Sequence, residues 1–241
     1  MPDHQKITYA VHDQTMESVV VRPAQGGQTT PCVLVCHDWS GINVHTIATC
    51  EELAKLSYTA FAVDAYGQGK RGDPVGDNTA LMAPCLADRG LLQERMLAAL
   101  RAAAGLPFVD TARIAALGYC FGGLCGLDLA RSDPDGLVAM ISVHGGLSPP
   151  QGWTPSRMRA RLLLLHGWND PMVPPDEVLA VASAFTSAGA QWEMHAYGHA
   201  MHAFTFEGAN FPERGIQHHP LAHRRSWEAT RLFLDEVFGN R

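Results

Sequence analysis

The chain has 241 residues, 46% of them hydrophobic and 17% charged, which suits one large α/β domain or two small ones and excludes a disordered polymer. The net charge of -6 excludes a nucleic-acid-coating surface, and the short basic pair Arg224-Arg225 reads as a solvated helix face. Residues 1–20 hold no apolar run behind a basic start, runs such as Cys32 to Cys36 are far too short to span a bilayer, and the six cysteines lack the spacing of a disulfide framework, so the expectation is a cytoplasmic protein with no membrane or nucleic-acid partner.

In chain order, residues 18–22, 32–37 and 60–64 read as strands, the last two almost continuously apolar. Residues 65–84 carry Gly67, Gly69, Gly72 and Pro74 in close succession and read as a long loop. Leu91, Leu92, Met96, Leu97 and Leu100 recur at helical spacing until Gly105 and Pro107 end the helix. A strand at 113–118 leads into a helix starting at Cys120 and running towards Ala130, and strands follow at 139–144 and 161–166. Pro174-Pro175-Asp176-Glu177 opens a helix to Ala188, with proline and acids in its first turn. A strand at 191–197, a second long loop at 208–220 and a helix over 223–237 with Ala229, Phe233 and Val237 on one stripe complete the chain. Alternating strand and helix predict an α/β fold: a mostly parallel sheet with helices on both faces, in one domain over 1–241.

The most informative segment runs from Arg113 to Gly123, where a buried strand enters Gly118-Tyr119-Cys120-Phe121-Gly122-Gly123 and then a helix. This is the nucleophile-elbow pattern of α/β-hydrolases with cysteine in place of serine. The central residue of an elbow sits on a sharp, strained turn, and side chains two positions either side would meet neighbouring backbone. The turn also sets the sulfur at a helix N-terminus, whose free N–H groups favour thiolate and bind a developing oxyanion. The competing reading is a glycine turn around an inert cysteine; the strand-turn-helix context favours the elbow. Cys125 lies well inside the helix and reads as core.

An elbow nucleophile needs an acid and then a histidine further along the chain. The strand at 161–166 is followed by Gly167-Trp168-Asn169-Asp170-Pro171, where Asp170 can reach the cleft at the carboxyl edge of the sheet or serve only as a turn residue beside proline. The strand at 191–197 is followed by His199 and His202, and residue chemistry alone leaves the two open. His37, His144 and His166 close predicted strands and read either as rim residues or as buried imidazoles. The group His199, His202, His218, His219 and His223 lacks the helical spacing and intervening glutamate of a zinc-hydrolase motif, so no metal is expected.

Together these motifs resemble the dienelactone hydrolase family, from about Pro31 to Phe238. Gly118-Tyr119-Cys120-Phe121-Gly122-Gly123 is similar to its nucleophile motif, Asp170 in His166-Gly-x-x-Asp170 to its acid, and His202 in His202-Ala203-Phe204-Thr205 to its histidine, which selects His202 over His199. His37-Asp38-Trp39-Ser40-Gly41 resembles a family segment with an acid, usually glutamate, that gates the resting thiol; here it is Asp38, one methylene shorter. The resemblance implies a catalytic Cys120–His202–Asp170 triad, an oxyanion hole from the N–H groups of Trp39 and Phe121, a thioester intermediate and no cofactor. It implies a small ester or lactone as partner and leaves the oligomeric state open. Two departures concern the family's arginine clamp for a substrate carboxylate: Phe206 stands four residues after His202, and no Lys or Arg occurs between Gly72 and Asp88. Arg71 and Arg89 flank the long loop but not at the clamp positions, and Trp39, Trp168, Phe204 and Phe206 make the expected pocket aromatic, which favours an uncharged substrate. The alternatives are a non-catalytic ligand-binding or redox-sensing thiol protein on the same fold, or a thioester hydrolase.

Overall fold

The computed structural model describes residues 3–24, 29–154 and 156–239. The strands are β1 (Asp3–Val11), β2 (Gln14–Arg22), β3 (Thr30–Cys36), β4 (Thr59–Val63), β5 (Val109–Tyr119), β6 (Leu137–Val143), β7 (Arg161–Gly167) and β8 (Trp192–Tyr197), with two short pieces, β9 (Asn210–Phe211) and β10 (Ile216–Gln217). The helices are α1 (Val44–Lys55), α2 (Thr79–Ala87), α3 (Arg89–Ala104), α4 (Phe121–Arg131), α5 (Pro175–Ser187) and α6 (Pro220–Val237).

The eight long strands form one sheet in the order β1-β2-β4-β3-β5-β6-β7-β8. β1 and β2 form an antiparallel hairpin, β2 runs antiparallel to β4, and every pair from β4 to β8 is parallel. The mostly parallel sheet expected from the sequence is therefore present. Strand alternation divides the core into two layers. Leu34, Phe61, Ala116, Met140 and Leu164 face Leu92 and Met96 of α3, Leu127 of α4 and Val181 and Phe185 of α5. Val33, Val35, Ala60, Leu117, Ile141 and Leu165 face Cys50 and Leu53 of α1 and Phe233 and Leu234 of α6. Both faces being covered is why β3, β4, β6 and β7 are almost wholly buried and read as continuous apolar runs.

Four elements differ from the sequence expectation. β1 was not anticipated, although Ile7, Tyr9 and Val11 alternate with Lys6, Thr8 and Ala10. α1 was not anticipated either; Asn43 caps it, accepting from His45 N–H (2.8 Å) and Thr46 N–H (3.0 Å), with Thr46 Oγ1 accepting from Asn43 N–H (3.4 Å). The supposed loop at 65–84 ends in α2, which tolerates Pro84 in its last turns, and Asp88 then caps α3 through Leu91 N–H at 2.9 Å. The supposed loop at 208–220 holds the β9–β10 hairpin and runs into α6, which starts at Pro220. None of the helices among the described residues is long and apolar enough to cross a membrane.

Candidate active site

β5 ends at Tyr119 and α4 begins at Phe121, so Cys120 alone makes the turn, as the N-cap rather than the first helical residue, with φ 53° and ψ -119°. A side-chain-bearing residue at that φ is strained and must be held by its surroundings. Cys120 N–H donates to Val143 O (3.1 Å) and Gly123 N–H to Cys120 O (3.0 Å). A Cβ on Gly118 would lie 2.1 Å from Gly122 O, one on Gly122 2.2 Å from Cys36 O, and one on Gly123 2.6 Å from Gly145 Cα. The close approach of strand, turn and helix thus requires glycine at all three positions. Cys120 is half-buried, whereas Cys32, Cys36, Cys50, Cys85 and Cys125 are buried. Burial pushes the Cys36 thiol up to about 12 and raises those of Cys32, Cys50, Cys85 and Cys125.

Cys120 Sγ lies 3.0 Å from His202 Nε2, and His202 Nδ1 lies 2.7 Å from Asp170 Oδ2. Asp170 sits in the turn after β7, fully buried, and its other oxygen accepts from Met172 N–H at 2.9 Å. His202 is held by the β9–β10 hairpin: its N–H donates to Gly215 O (2.9 Å) and its carbonyl accepts from Gln217 N–H (3.1 Å). Gly215 adopts φ 70°, and a Cβ there would lie 2.2 Å from Pro171 Cγ, so the hairpin also abuts the residue after Asp170. Burial opposes a charge on His202, but the negative charge of Cys120 and the Asp170 carboxylate outweigh it and raise the imidazole to about 10. Such an arrangement can hold a thiolate–imidazolium pair and pass a proton between sulfur and imidazole.

The structure brings together Cys120, His202 and Asp170 and disperses some of their expected neighbours. Asp38 accepts from Ser40 N–H (2.8 Å), Ser40 Oγ–H (2.7 Å) and Asn43 Nδ2 (3.0 Å), and so ties its loop to the start of α1. Trp39 packs half-buried against the first core layer, Trp168 is 43% exposed, and the Phe206 ring lies 4.8 Å from His45. Phe204 is fully buried between His144 (5.1 Å) and Tyr197 (5.4 Å), behind the His202 loop. Arg89 holds Asp128 through two bonds (2.6 and 2.7 Å) and Ser148 O (3.1 Å), while Arg71 donates to Asp64 (3.2 Å), Lys70 O (2.7 Å) and Glu17 O (3.2 Å).

His37, His144 and His166 are buried imidazoles at strand ends, and burial lowers the pKa of each. His199 is exposed, with φ 68°. His218 Nε2 meets His223 Nδ1 at 3.2 Å, but no group of three or more His, Cys, Asp or Glu among the described residues could hold a metal ion. The β9–β10 clamp was missed in the sequence; its signal is Gly215 directly after Pro212-Glu213-Arg214, a chain reversal between two short β-forming pairs. A surface depression of about 450 Å³, lined by Pro134, Gly136, Arg159, Arg161 and Glu236, lies at the opposite edge of the sheet, by the starts of β6 and β7.

Comparison with known proteins identifies the family. The dienelactone hydrolase family model matches residues 16–238. An uncharacterised protein of Caenorhabditis elegans is 37% identical over 151 residues, 62% of this chain and 96% of its own length. The protein named "Putative carboxymethylenebutenolidase" of Methylorubrum extorquens is 26% identical over 212 residues, 83% of this chain and 71% of its own. Among solved structures, the dienelactone hydrolase-like promiscuous phosphotriesterase P91, from metagenomic libraries, superposes with a TM-score of 0.92 at 29% identity, covering 98% of this chain and 99% of its own. With the family matched from β2 to the end of α6 on an α/β-hydrolase sheet, the chain belongs to the dienelactone hydrolase family and is a hydrolase of carboxylic esters or lactones.

Proposed function

We propose that the chain hydrolyses small, uncharged esters or lactones with Cys120 as nucleophile, His202 as base and Asp170 as the acid that orients the base. The observation that carries this is the continuous contact from Sγ through imidazole to carboxylate, at 3.0 and 2.7 Å. His202 takes the thiol proton, and the thiolate attacks the carbonyl carbon. The electron pair moves to the carbonyl oxygen, held by the N–H groups of Trp39 and Phe121. Phe121, as the first residue of α4, has no intrahelical acceptor, which supports that role. Collapse breaks the carbon–oxygen bond, His202 protonates the departing oxygen, and a thioester remains on Cys120. Neutral His202 then takes a proton from water, the hydroxide adds to the thioester, and collapse releases the acid and the thiolate. Throughout, Asp170 keeps the His202 proton on Nδ1 and stabilises the imidazolium. No step needs a cofactor.

The charge preference rests on Arg71 and Arg89, whose donors are already engaged by protein acceptors. A substrate carboxylate would lose its water without gaining a cation. The test is p-nitrophenyl acetate turnover with mass spectrometry of the Cys120 peptide, followed by a matched substrate pair differing only in free carboxylate against methyl ester. An acetyl adduct on Cys120 and higher kcat/KM for the methyl ester are expected. An unacylated Cys120 refutes the mechanism, and a preference for the acid that vanishes in Arg89→Ala or Arg71→Ala refutes the charge reading. A second reading, favoured by the likeness to P91, is slow turnover of neutral aryl phosphotriesters. Cys120 would attack phosphorus, expel the aryl oxide and await water; repeated turnover of a dialkyl p-nitrophenyl phosphate, lost in Cys120→Ala, tests it.

A further inference from the structure

The proposed oxyanion donors are backbone groups, and the structure shows what fixes one of them. The N–H of Trp39 belongs to the peptide unit whose carbonyl is Asp38 O. That oxygen lies 2.6 Å from His37 Nδ1, with a longer bond from Gly41 N–H at 3.4 Å. On the far side of the same ring, Nε2 lies 3.2 Å from the N–H of Ala65. Burial lowers the His37 pKa despite the hydrogen bond to Asp38 O and the nearby Asp38 and Asp64 charges, so the ring is neutral. A backbone N–H can only donate, so Nε2 accepts and the ring proton sits on Nδ1, pointing at Asp38 O. Because a trans peptide is planar, its C=O and N–H point in opposite directions, and drawing the oxygen towards His37 turns the Trp39 N–H away from it.

Tyr66 braces the same unit. Its ring lies 4.7 Å from the His37 ring and stacks on Phe121 at 5.6 Å and 21°. Its hydroxyl donates to Trp39 O at 2.9 Å, which pins the next peptide as well. The two residues that supply the proposed hole are thus tied to one buried pair, His37 and Tyr66, at the ends of β3 and β4.

We propose that His37 is a positioning residue for the oxyanion hole: locked in the Nδ1–H tautomer by Ala65, it aims the Asp38–Trp39 peptide, with Tyr66 as its brace. The inference rests on the reading of Cys120 as nucleophile and of Trp39 and Phe121 as the hole.

Two substitutions separate the two ends of the ring. His37→Asn keeps a donor near the Nδ1 position and loses the acceptor for Ala65; His37→Gln reaches Ala65 and loses the donor to Asp38 O. Two reactions separate the hole from the thiolate. Hydrolysis of p-nitrophenyl acetate builds charge on a carbonyl oxygen, whereas alkylation of Cys120 by iodoacetamide displaces iodide from carbon and builds none there. His37→Gln is expected to lower kcat by about 10- to 100-fold with KM and the alkylation rate within about twofold, since losing one hole donor outright costs about 10²–10³-fold. His37→Asn should recover most of that loss. Tyr66→Phe, which removes only a hydroxyl, should lower kcat about threefold at constant alkylation rate, and serves if His37→Gln does not fold. Hydrolysis and alkylation falling together, or kcat unchanged in the folded variants, would overturn the role of His37. Failure of wild-type Cys120 to alkylate ahead of the other cysteines overturns instead the nucleophile reading on which the inference stands.

Discussion

Asp170→Asn is nearly isosteric, so its effect on rate isolates chemistry from shape. In the native site one carboxylate oxygen accepts from Met172 N–H at 2.9 Å and the other faces His202 Nδ1 at 2.7 Å. An amide has one acceptor and one donor, and Met172 N–H claims the acceptor. The amide nitrogen is therefore driven to the His202 side, where Nδ1 must accept and the imidazole proton moves to Nε2, facing Cys120. His202 can then no longer take the thiol proton. Such a tautomer reversal lowers kcat by about 10⁴-fold, or about 5.4 kcal/mol at about 1.36 kcal/mol per decade. The assay is steady-state p-nitrophenyl acetate hydrolysis beside iodoacetamide labelling of Cys120 at pH 7, with circular dichroism showing that the fold is retained. Both rates should collapse. Turnover within tenfold of wild type would refute the reasoning and require another acid, although Asp38 is already engaged by Ser40 and Asn43.

Limiting iodoacetamide followed by peptide mapping should label Cys120 well before the five buried cysteines; early labelling of Cys50 or Cys85 with activity intact would contradict the assignment. His202→Ala should lower turnover by about 10²–10⁴-fold, while exposed His199→Ala should leave kcat near wild type; the reverse pattern would move the base to His199. Gly122→Ala places a Cβ 2.2 Å from Cys36 O and 2.6 Å from His37 O, both backbone atoms that cannot yield cheaply. It should destabilise the fold by about 3 kcal/mol or more, lowering Tm by roughly 6–12 °C, and an unchanged melting curve would show that the elbow relaxes. For pH, His202 is raised from 6.5 to about 10, burial opposing the charge and Cys120 with Asp170 outweighing it. Its contribution to stability is fully present below about 6.5 and lost as pH rises through about 10; a stability profile no steeper there than that of Cys120→Ala would contradict the ion pair.

The parts of the fold visible in the sequence were those with a strong period or a sharp break. β3, β5, β6 and β7 are buried on two faces and left continuous apolar runs, and the Gly118–Gly123 turn joins one of them to a helix. β1 was not visible because polar Gln5 on its inner side and apolar Ala10 on its outer side break the alternation of a strand at the sheet edge. α1 was hidden because no acid marks its first turn and its start is set by an asparagine–threonine box. α2 was obscured by Pro84 and by the glycines before it. The order Cys120, Asp170, His202 was readable, but the choice of His202 over His199 came from family resemblance. Its physical cause, two backbone bonds to the β9–β10 hairpin, depends on residues 13 and 15 positions further on and leaves no local period.

The same economy of contacts supports the proposed preference for an uncharged substrate. Asp128 is fully buried in α4, where a lone carboxylate would be costly, and Arg89 and Arg131 converge on it. Arg131 also reaches Leu147 O (2.6 Å) and Arg89 reaches Ser148 O (3.1 Å), so the pair ties the segment after β6 onto α4, the helix that follows Cys120. For Arg89 to meet a substrate carboxylate it would have to leave two bonds of 2.6 and 2.7 Å and expose Asp128 to a single partner. Breaking a buried pair costs about 3–5 kcal/mol, more than a half-solvated ligand contact returns, which is about 0–1 kcal/mol. The cation therefore stays with the helix, and its work is to hold the elbow's helix in place.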